Sequence, residues 1–263
     1  WLKLGKRVNE ILAQPDVTGV AITHGTDTME ETSYFLYLVV KSDKPVVLTG
    51  SMRPSTAMSA DGPLNIYNAV AIAADPGAVG RGVMVTVDDD IHSAHDIVKF
   101  HTTDVGTMRS GEAGLVGATL FGKNTWYRKP AGVHTKASEL GIDGVSALPR
   151  VDIIYAHANM SPDLIASAVA NGAKGLVIAG VGDGNMTAPA LEAVKAAVAK
   201  GVVVVRSSRV NGGIIRRNIE VNDDQLGTVA SMELNPAKAR VLLQLVLLKT
   251  KDAKQVQSYF DRY

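Results

Sequence analysis

The sequence predicts an α/β fold of two domains, each with a mainly parallel sheet flanked by helices. Three observations predict it. Short runs of valine, isoleucine and leucine recur without polar alternation, as in Val20–Thr23, Pro45–Thr49 and Gly82–Val87. Continuous apolar strands of that kind belong to sheets covered on both faces. Each run ends in a polar turn that leads into a segment with helical spacing, and strand–turn–helix repetition is the pattern of parallel sheets. The rhythm breaks at Gly117–Pro130, no sustained apolar run follows until about Pro149, and the rhythm then restarts.

Taken in order, Val20–Thr23 reads as a buried strand, His24–Thr28 as its turn and Met29–Val40 as a helix. Pro45–Thr49 is the next strand and Leu64–Asp75 the next helix, with a long polar loop between them. Gly82–Val87 is the third strand. Phe121, Trp126 and Tyr127 flank Gly122-Lys123-Asn124, which suggests a β-hairpin within Gly117–Pro130. Residues 131–149 carry no sustained apolar run and read as a linker. Beyond it come a strand at Val151–Tyr155 and a helix opened by Ser161-Pro162-Asp163, a capping hydroxyl followed by proline. Gly175–Ala179 is a strand, Ala188–Lys200 a helix and Val202–Val205 a strand. Asn235-Pro236 opens a helix to about Lys249, and Asp252 opens a last one reaching Tyr263. The domains are therefore placed at 1–130 and 150–263.

Composition narrows the function. Of 263 residues, 27 are Lys or Arg and 26 are Asp or Glu, so the net charge is +1. A near-neutral chain is a poor candidate for binding nucleic acid or a membrane surface through bulk charge. The absence of cysteine removes disulfides, thiolate metal sites and a cysteine nucleophile. No apolar run approaches the ~18 residues of a membrane span. The chain begins at Trp1 in what already reads as the middle of a fold.

In open parallel sheets, ligands sit beyond the C-terminal strand ends, so chemistry is sought in the turns there. Thr26, Asp27 and Thr28 follow the first strand after Gly25. Helix capping explains such residues; the sharper reading is a reactive hydroxyl beside a carboxylate that grips an ammonium group. The loop Thr49–Pro63 is long for a strand–helix connection, and Ser51 stands nearest the strand end. After the third strand come Asp88, Asp89, Asp90, His92, His95 and Asp96, then Lys99. The His spacing is not that of a zinc helix, and clustered charges are usually a solvated face. A lysine at a strand end can act as a base when its amine is neutral. Ala179–Asn185 looks superficially like a dinucleotide loop, but its third glycine comes one residue early. Arg206-Ser207-Ser208-Arg209 follows a strand and suits either an anion or a structural arginine pair. Spacing alone gives Glu220 no role.

Together these residues carry a resemblance. Ile22-Thr23-His24-Gly25-Thr26-Asp27-Thr28-Met29-Glu30-Glu31-Thr32 resembles the second signature of bacterial L-asparaginases, and its ending is similar to the type II, periplasmic branch. Gly50–Pro54, Met58–Pro63, Arg206–Arg209 and Asn235–Arg240 resemble that family in the same order, across essentially the whole chain. The resemblance implies hydrolysis of L-asparagine, and of L-glutamine, to the acid and ammonia through a threonine-dependent acyl-enzyme, without cofactor or metal. It implies that Thr26 is one of two active-site threonines and that Lys99 is the base relaying a proton with it. Asp27 would hold Lys99 and the substrate α-amino group, and Ser51 would lie under the substrate. Asn185 and Glu220 would reach a neighbouring subunit's site in a homotetramer, a dimer of dimers. Periplasmic or secreted location is implied as well. The first family signature, Thr-Gly-Gly-Thr-Ile-Ala, is absent from this sequence, as are the tyrosine-bearing lid and a Ser-Gln/Glu pair that grips the substrate. Roughly 60 residues, about two strand–helix steps, would precede Trp1, and the N-terminal domain is expected to be incomplete and the chain alone weakly active or inactive. The alternatives are an asparaginase-like subunit of a tRNA-dependent amidotransferase, a non-catalytic amino-acid-binding protein and a nucleotide-binding domain.

Overall fold

The computed structural model describes residues 1–263, which divide into two units, Trp1–Gly144 and Val145–Tyr263. No helix in it is long and apolar enough to cross a membrane.

The first unit opens with helix α1 (Leu2–Leu12), which buries Gly5, Val8 and Leu12. Strand β1 (Val20–Thr23), helix α2 (Met29–Val39), strand β2 (Val46–Thr49), helix α3 (Gly62–Ala73) and strand β3 (Val83–Val87) follow at the places the periodicity predicts. These three strands pair in parallel in the order β1-β2-β3. Both β2 and β3 are buried throughout, whereas β1 alternates half-buried and exposed residues. The reading of β1 as a buried strand is thus corrected. It lies at the sheet's edge, a position that its apolar composition does not reveal.

Beyond β3 the sheet becomes mixed. Strand β4 (Asp90–Ser93) returns antiparallel to β3 through Asp88 and Asp89, both with positive φ, 51° and 63°. Two successive left-handed residues make the tight turn of a two-residue hairpin. That turn ordinarily carries Asn-Gly or Asp-Gly, so Asp-Asp hid it in the sequence. Asn65 Oδ1 accepts from the Asp88 N–H at 3.2 Å and Asn68 Nδ2 donates to Asp89 Oδ1 at 2.8 Å, holding the turn. The short strands β5 (Val98–Lys99) and β6 (Met108–Arg109) pair with each other in a separate ribbon. Strands β7 (Gly117–Leu120) and β8 (Lys123–Trp126) form the expected hairpin, turning at Phe121-Gly122, and complete the order β1-β2-β3-β4-β7-β8. Val47, Ile72, Met84, Ile91 and Val116 lie in its core.

The segment read as a linker divides. Leu140 and Ile142 are buried, Lys41 Nζ donates to the Leu140 carbonyl at 2.7 Å, and a Cβ on Gly5 would come within 2.8 Å of Ile142. Residues 131–144 therefore fold with the first unit. Two isolated apolar plugs are enough to dock them and too few to register as a run.

The second unit is a parallel sheet in the order β12-β11-β10-β9. It comprises β9 (Val151–Tyr155), α4 (Asp163–Ala170), β10 (Gly175–Gly180), α5 (Ala188–Ala199), β11 (Val203–Ser208), α6 (Asp223–Leu226), β12 (Val229–Ala230), α7 (Pro236–Val246) and α8 (Ala253–Phe260). Side-chain caps start several helices: Thr187 accepts from the Ala190 N–H, Asn235 from Lys238 and Asp252 from Gln255. Ile165 and Val194 pack on Leu176, Ile178 and Val204 to form the core. Strand β11 runs three residues beyond its predicted end, because Arg206, Ser207 and Ser208 continue the ladder, buried opposite Ile178, Ala179 and Gly180.

Candidate active site

Parallel strands β1 and β2 release their chains at the same sheet edge, and the residues that follow them form the site. After β1, Gly25 is extended and Thr26–Thr28 form one tight helical turn that leads into α2. Thr26 is thereby buried while the Asp27 side chain remains 90% exposed. After β2, the 51–61 loop folds back under Asp61, whose carboxylate accepts from the backbone N–H groups of Met52 and Arg53, each at 2.9 Å. Asn65 Nδ2 donates to the Gly50 carbonyl at 2.9 Å. A cavity of about 350 Å³ opens here, lined by residues that include Gly25, Gly50, Ser51 and Ile66. Its wall runs up to the residue before Thr26.

Lys99, on β5, reaches this turn from 72 residues further along. Its Nζ donates to Thr26 Oγ1 at 3.0 Å and to Asp27 Oδ1 at 2.5 Å. The hydrogen bond from Lys99, and then its charge, hold the Asp27 carboxyl below the usual carboxylate range, against a small opposing effect of burial. Asp27 is thus ionised across the neutral range. Thr26 Oγ1 accepts from the lysine and points its own proton at Met52 Sδ, 3.3 Å away. Lys99 is additionally held through its backbone: the buried Glu30 carboxylate accepts from the Lys99 N–H at 2.8 Å. Thr26, Asp27, Lys99 and Ser51 therefore belong to one region of the first unit.

Asn185 and Glu220 belong to the second unit and form a pair, Asn185 Nδ2 donating to Glu220 Oε2 at 3.1 Å. Both stand on loops gripped by Arg206, whose guanidinium is wholly buried. It forks onto Asp223 at 2.7 Å through both Nε and Nη2. It also donates to the carbonyls of Asp183 and Gly184 on the first loop and of Arg216 on the second. Burial alone would raise the Asp223 carboxyl. Bonds from Arg206, Thr228 and the Asn218 N–H, with the guanidinium charge, hold it below its usual range instead. The anion reading of Arg206–Arg209 is corrected accordingly: Arg206 already has an internal carboxylate. Arg209 donates to the Ala156 carbonyl and lies over the Tyr155 ring. The Ala179–Asn185 turn closes on itself through a Val181–Asn185 bridge, and its inward carbonyls meet Arg206 rather than offering N–H groups to a phosphate.

The histidines and carboxylates after β3 go separate ways. His92 bonds Ser110 through Nδ1 at 2.7 Å, and His95 bonds Asp96 at 2.6 Å, with Arg128 on the other Asp96 oxygen at 2.6 Å.

Sequence reasoning missed three site residues. Gly50 lets the β2 end approach the Thr26 turn, since a Cβ there would lie 2.4 Å from the His24 carbonyl. Asp61 organises the loop. Glu30 holds Lys99; the sequence shows two adjacent glutamates, Glu30 and Glu31, and only the fold buries the first of them.

Residues 1–132 match the protein family described as asparaginase, N-terminal, and residues 150–260 the glutaminase/asparaginase C-terminal domain. The chain is 48% identical to the L-asparaginase 2 of Bacillus subtilis, covering all of this chain and 69% of that protein. It is 48% identical to the probable L-asparaginase periplasmic of Haemophilus influenzae, covering all of this chain and 75% of that protein. To the glutaminase-asparaginase of Pseudomonas fluorescens it is 45% identical, covering all of this chain and 72% of the relative. With both family domains matched in order over an α/β fold that brings Thr26, Asp27 and Lys99 together, the chain belongs to the asparaginase family.

Proposed function

We propose that the protein hydrolyses the side-chain amide of L-asparagine, and of L-glutamine, releasing ammonia. The observation that carries this reading is the placement of Lys99 Nζ between Thr26 Oγ1 and Asp27 Oδ1 in a chain of this family. A threonine hydroxyl is a weak nucleophile until a neighbouring base takes its proton. To act as that base Lys99 first gives up its extra proton to solvent; its single lone pair then accepts from Thr26, whose proton turns from Met52 towards Nζ, while an N–H still donates to Asp27. The relay then serves an acyl-enzyme reaction. A threonine oxygen adds to the amide carbon while its proton passes to Lys99. The C–N bond breaks and the nitrogen leaves as ammonia with that proton. Water hydrolyses the resulting ester by the same proton path in reverse.

The ionised Asp27, exposed yet fixed by Lys99, suits the α-ammonium of a zwitterionic substrate. Ser51, on the cavity wall, supports the substrate beneath. Asn185 and Glu220 complete a neighbouring subunit's site in a homotetramer of paired dimers, and the protein works in the periplasm, like the Haemophilus relative by its name. The test is ammonia release from L-asparagine by the full-length protein. Lys99→Met should lower turnover by about 10²-fold or more, the scale of a lost general base. Full turnover in that variant removes Lys99 from the chemistry.

A further inference from the structure

We propose that Glu30 is a positioning residue for Lys99, acting as the missing strand partner of its backbone; this rests on the role given to Lys99 above. Successive N–H groups of a strand point to opposite sides. In the ribbon that carries Lys99, the Phe100 N–H donates to the Thr107 carbonyl at 2.7 Å, on the β6 side. The Lys99 N–H therefore faces away from β6, and no strand lies there to receive it. Glu30 Oε2 does so, at 2.8 Å.

The origin of that carboxylate gives the contact its meaning. Glu30 lies in the first turn of α2, three residues after Asp27 and four after Thr26. The segment that presents the hydroxyl and the carboxylate to the Lys99 amine thus also grips the Lys99 backbone. A lysine side chain is long and has many rotamers, so an anchored amine requires an anchored Cα. β5 is only two residues long and paired on one side, which is little to anchor it otherwise. The β5–β6 ribbon lies outside the main sheet. Glu30 ties it to the sheet's first strand–helix turn. The group needed is an acceptor, which both a carboxylate and a carboxamide supply. Charge is secondary, so glutamine should substitute and alanine should not.

Three measurements decide it. In the unaltered protein, hydrogen exchange at the Lys99 amide should be slow compared with unbonded loop amides; exchange at the rate of an unprotected amide overturns the proposal whatever the variants do. Limiting acetic anhydride then reports on the amine, with Lys200 and Lys249 as exposed internal standards in the second unit. Glu30→Ala should raise Lys99 acetylation several-fold relative to those standards, and Glu30→Gln should restore the original ratio. In turnover, Glu30→Ala should lower kcat by about tenfold or more while KM changes by less than about threefold, and Glu30→Gln should recover most of kcat. Equal labelling in all three proteins, or Glu30→Gln failing as completely as Glu30→Ala, overturns it. Should the unaltered protein release no ammonia from asparagine, the functional reading fails, and exchange and labelling still decide whether Glu30 positions Lys99.

Discussion

Thr26 has a soft neighbour on one side, Met52 sulfur, and a charged one on the other, Lys99. A thioether is a weak acceptor, so the threonine proton is easily redirected. The Lys99–Asp27 pair is solvent-facing on the Asp27 side, so screening leaves it little weight in stability; its effect is orientation. Gly50 is the residue whose alteration tests this arrangement most directly. Gly50→Ala should push the His24 carbonyl and with it the Thr26 turn, costing about 1–3 kcal/mol of stability and most of the turnover. Urea denaturation and ammonia assays read both, and a fully active, equally stable Gly50→Ala protein sinks the close-approach argument. Thr26 and Asp27 were singled out because the turn motif carries a family resemblance, and Lys99 as a lysine following the third strand; the structure brings the three together. Glu30 was not, because its role depends on which way the Lys99 N–H points, and no spacing encodes that.

At the scale of elements, the parallel strand–helix steps were legible because each has an apolar run and a punctuating turn. The Asp88–Asp89 hairpin was not, because its turn residues are tolerated at positive φ without being its usual signal. The end of β11 was misjudged for a related reason: a polar strand terminus is invisible when its partner, Asp223, lies 17 residues away. That partner is what makes a buried arginine tolerable. Asp223→Asn should leave the Arg206 charge uncompensated and cost about 3–5 kcal/mol. It should also loosen both loops that Arg206 holds, so amide exchange should quicken at 181–185 and 214–222 more than elsewhere in the second unit. An unchanged melting temperature would show that the guanidinium finds other relief.

For the whole molecule, two kinds of group set the acid limit. His134, packed against the Tyr37 ring at 4.9 Å between centroids, is held below its ordinary value by burial, with Asp43 opposing weakly. It is neutral in the fold, so its contribution is complete above about pH 6.5 and is lost as pH falls through its lowered folded value. Asp96 and Asp223 are both depressed on balance by their hydrogen bonds and cationic partners, although burial opposes this. Their contribution is complete above about pH 4 and is lost as pH falls further, through their folded values. Urea denaturation from pH 7.5 to pH 3 should therefore show two stages, the first no steeper than about 1.4 kcal/mol per pH unit and flattened by His134→Gln. A first stage that survives His134→Gln assigns it to another group. The separation of Lys99 from Thr26, 73 positions along the chain, has a consequence in time. At roughly 5–20 residues per second, a ribosome adds Lys99 about 4 to 15 seconds after Thr26. For that interval the hydroxyl has no amine beside it, and the proton relay proposed above cannot assemble until the β5–β6 ribbon has docked.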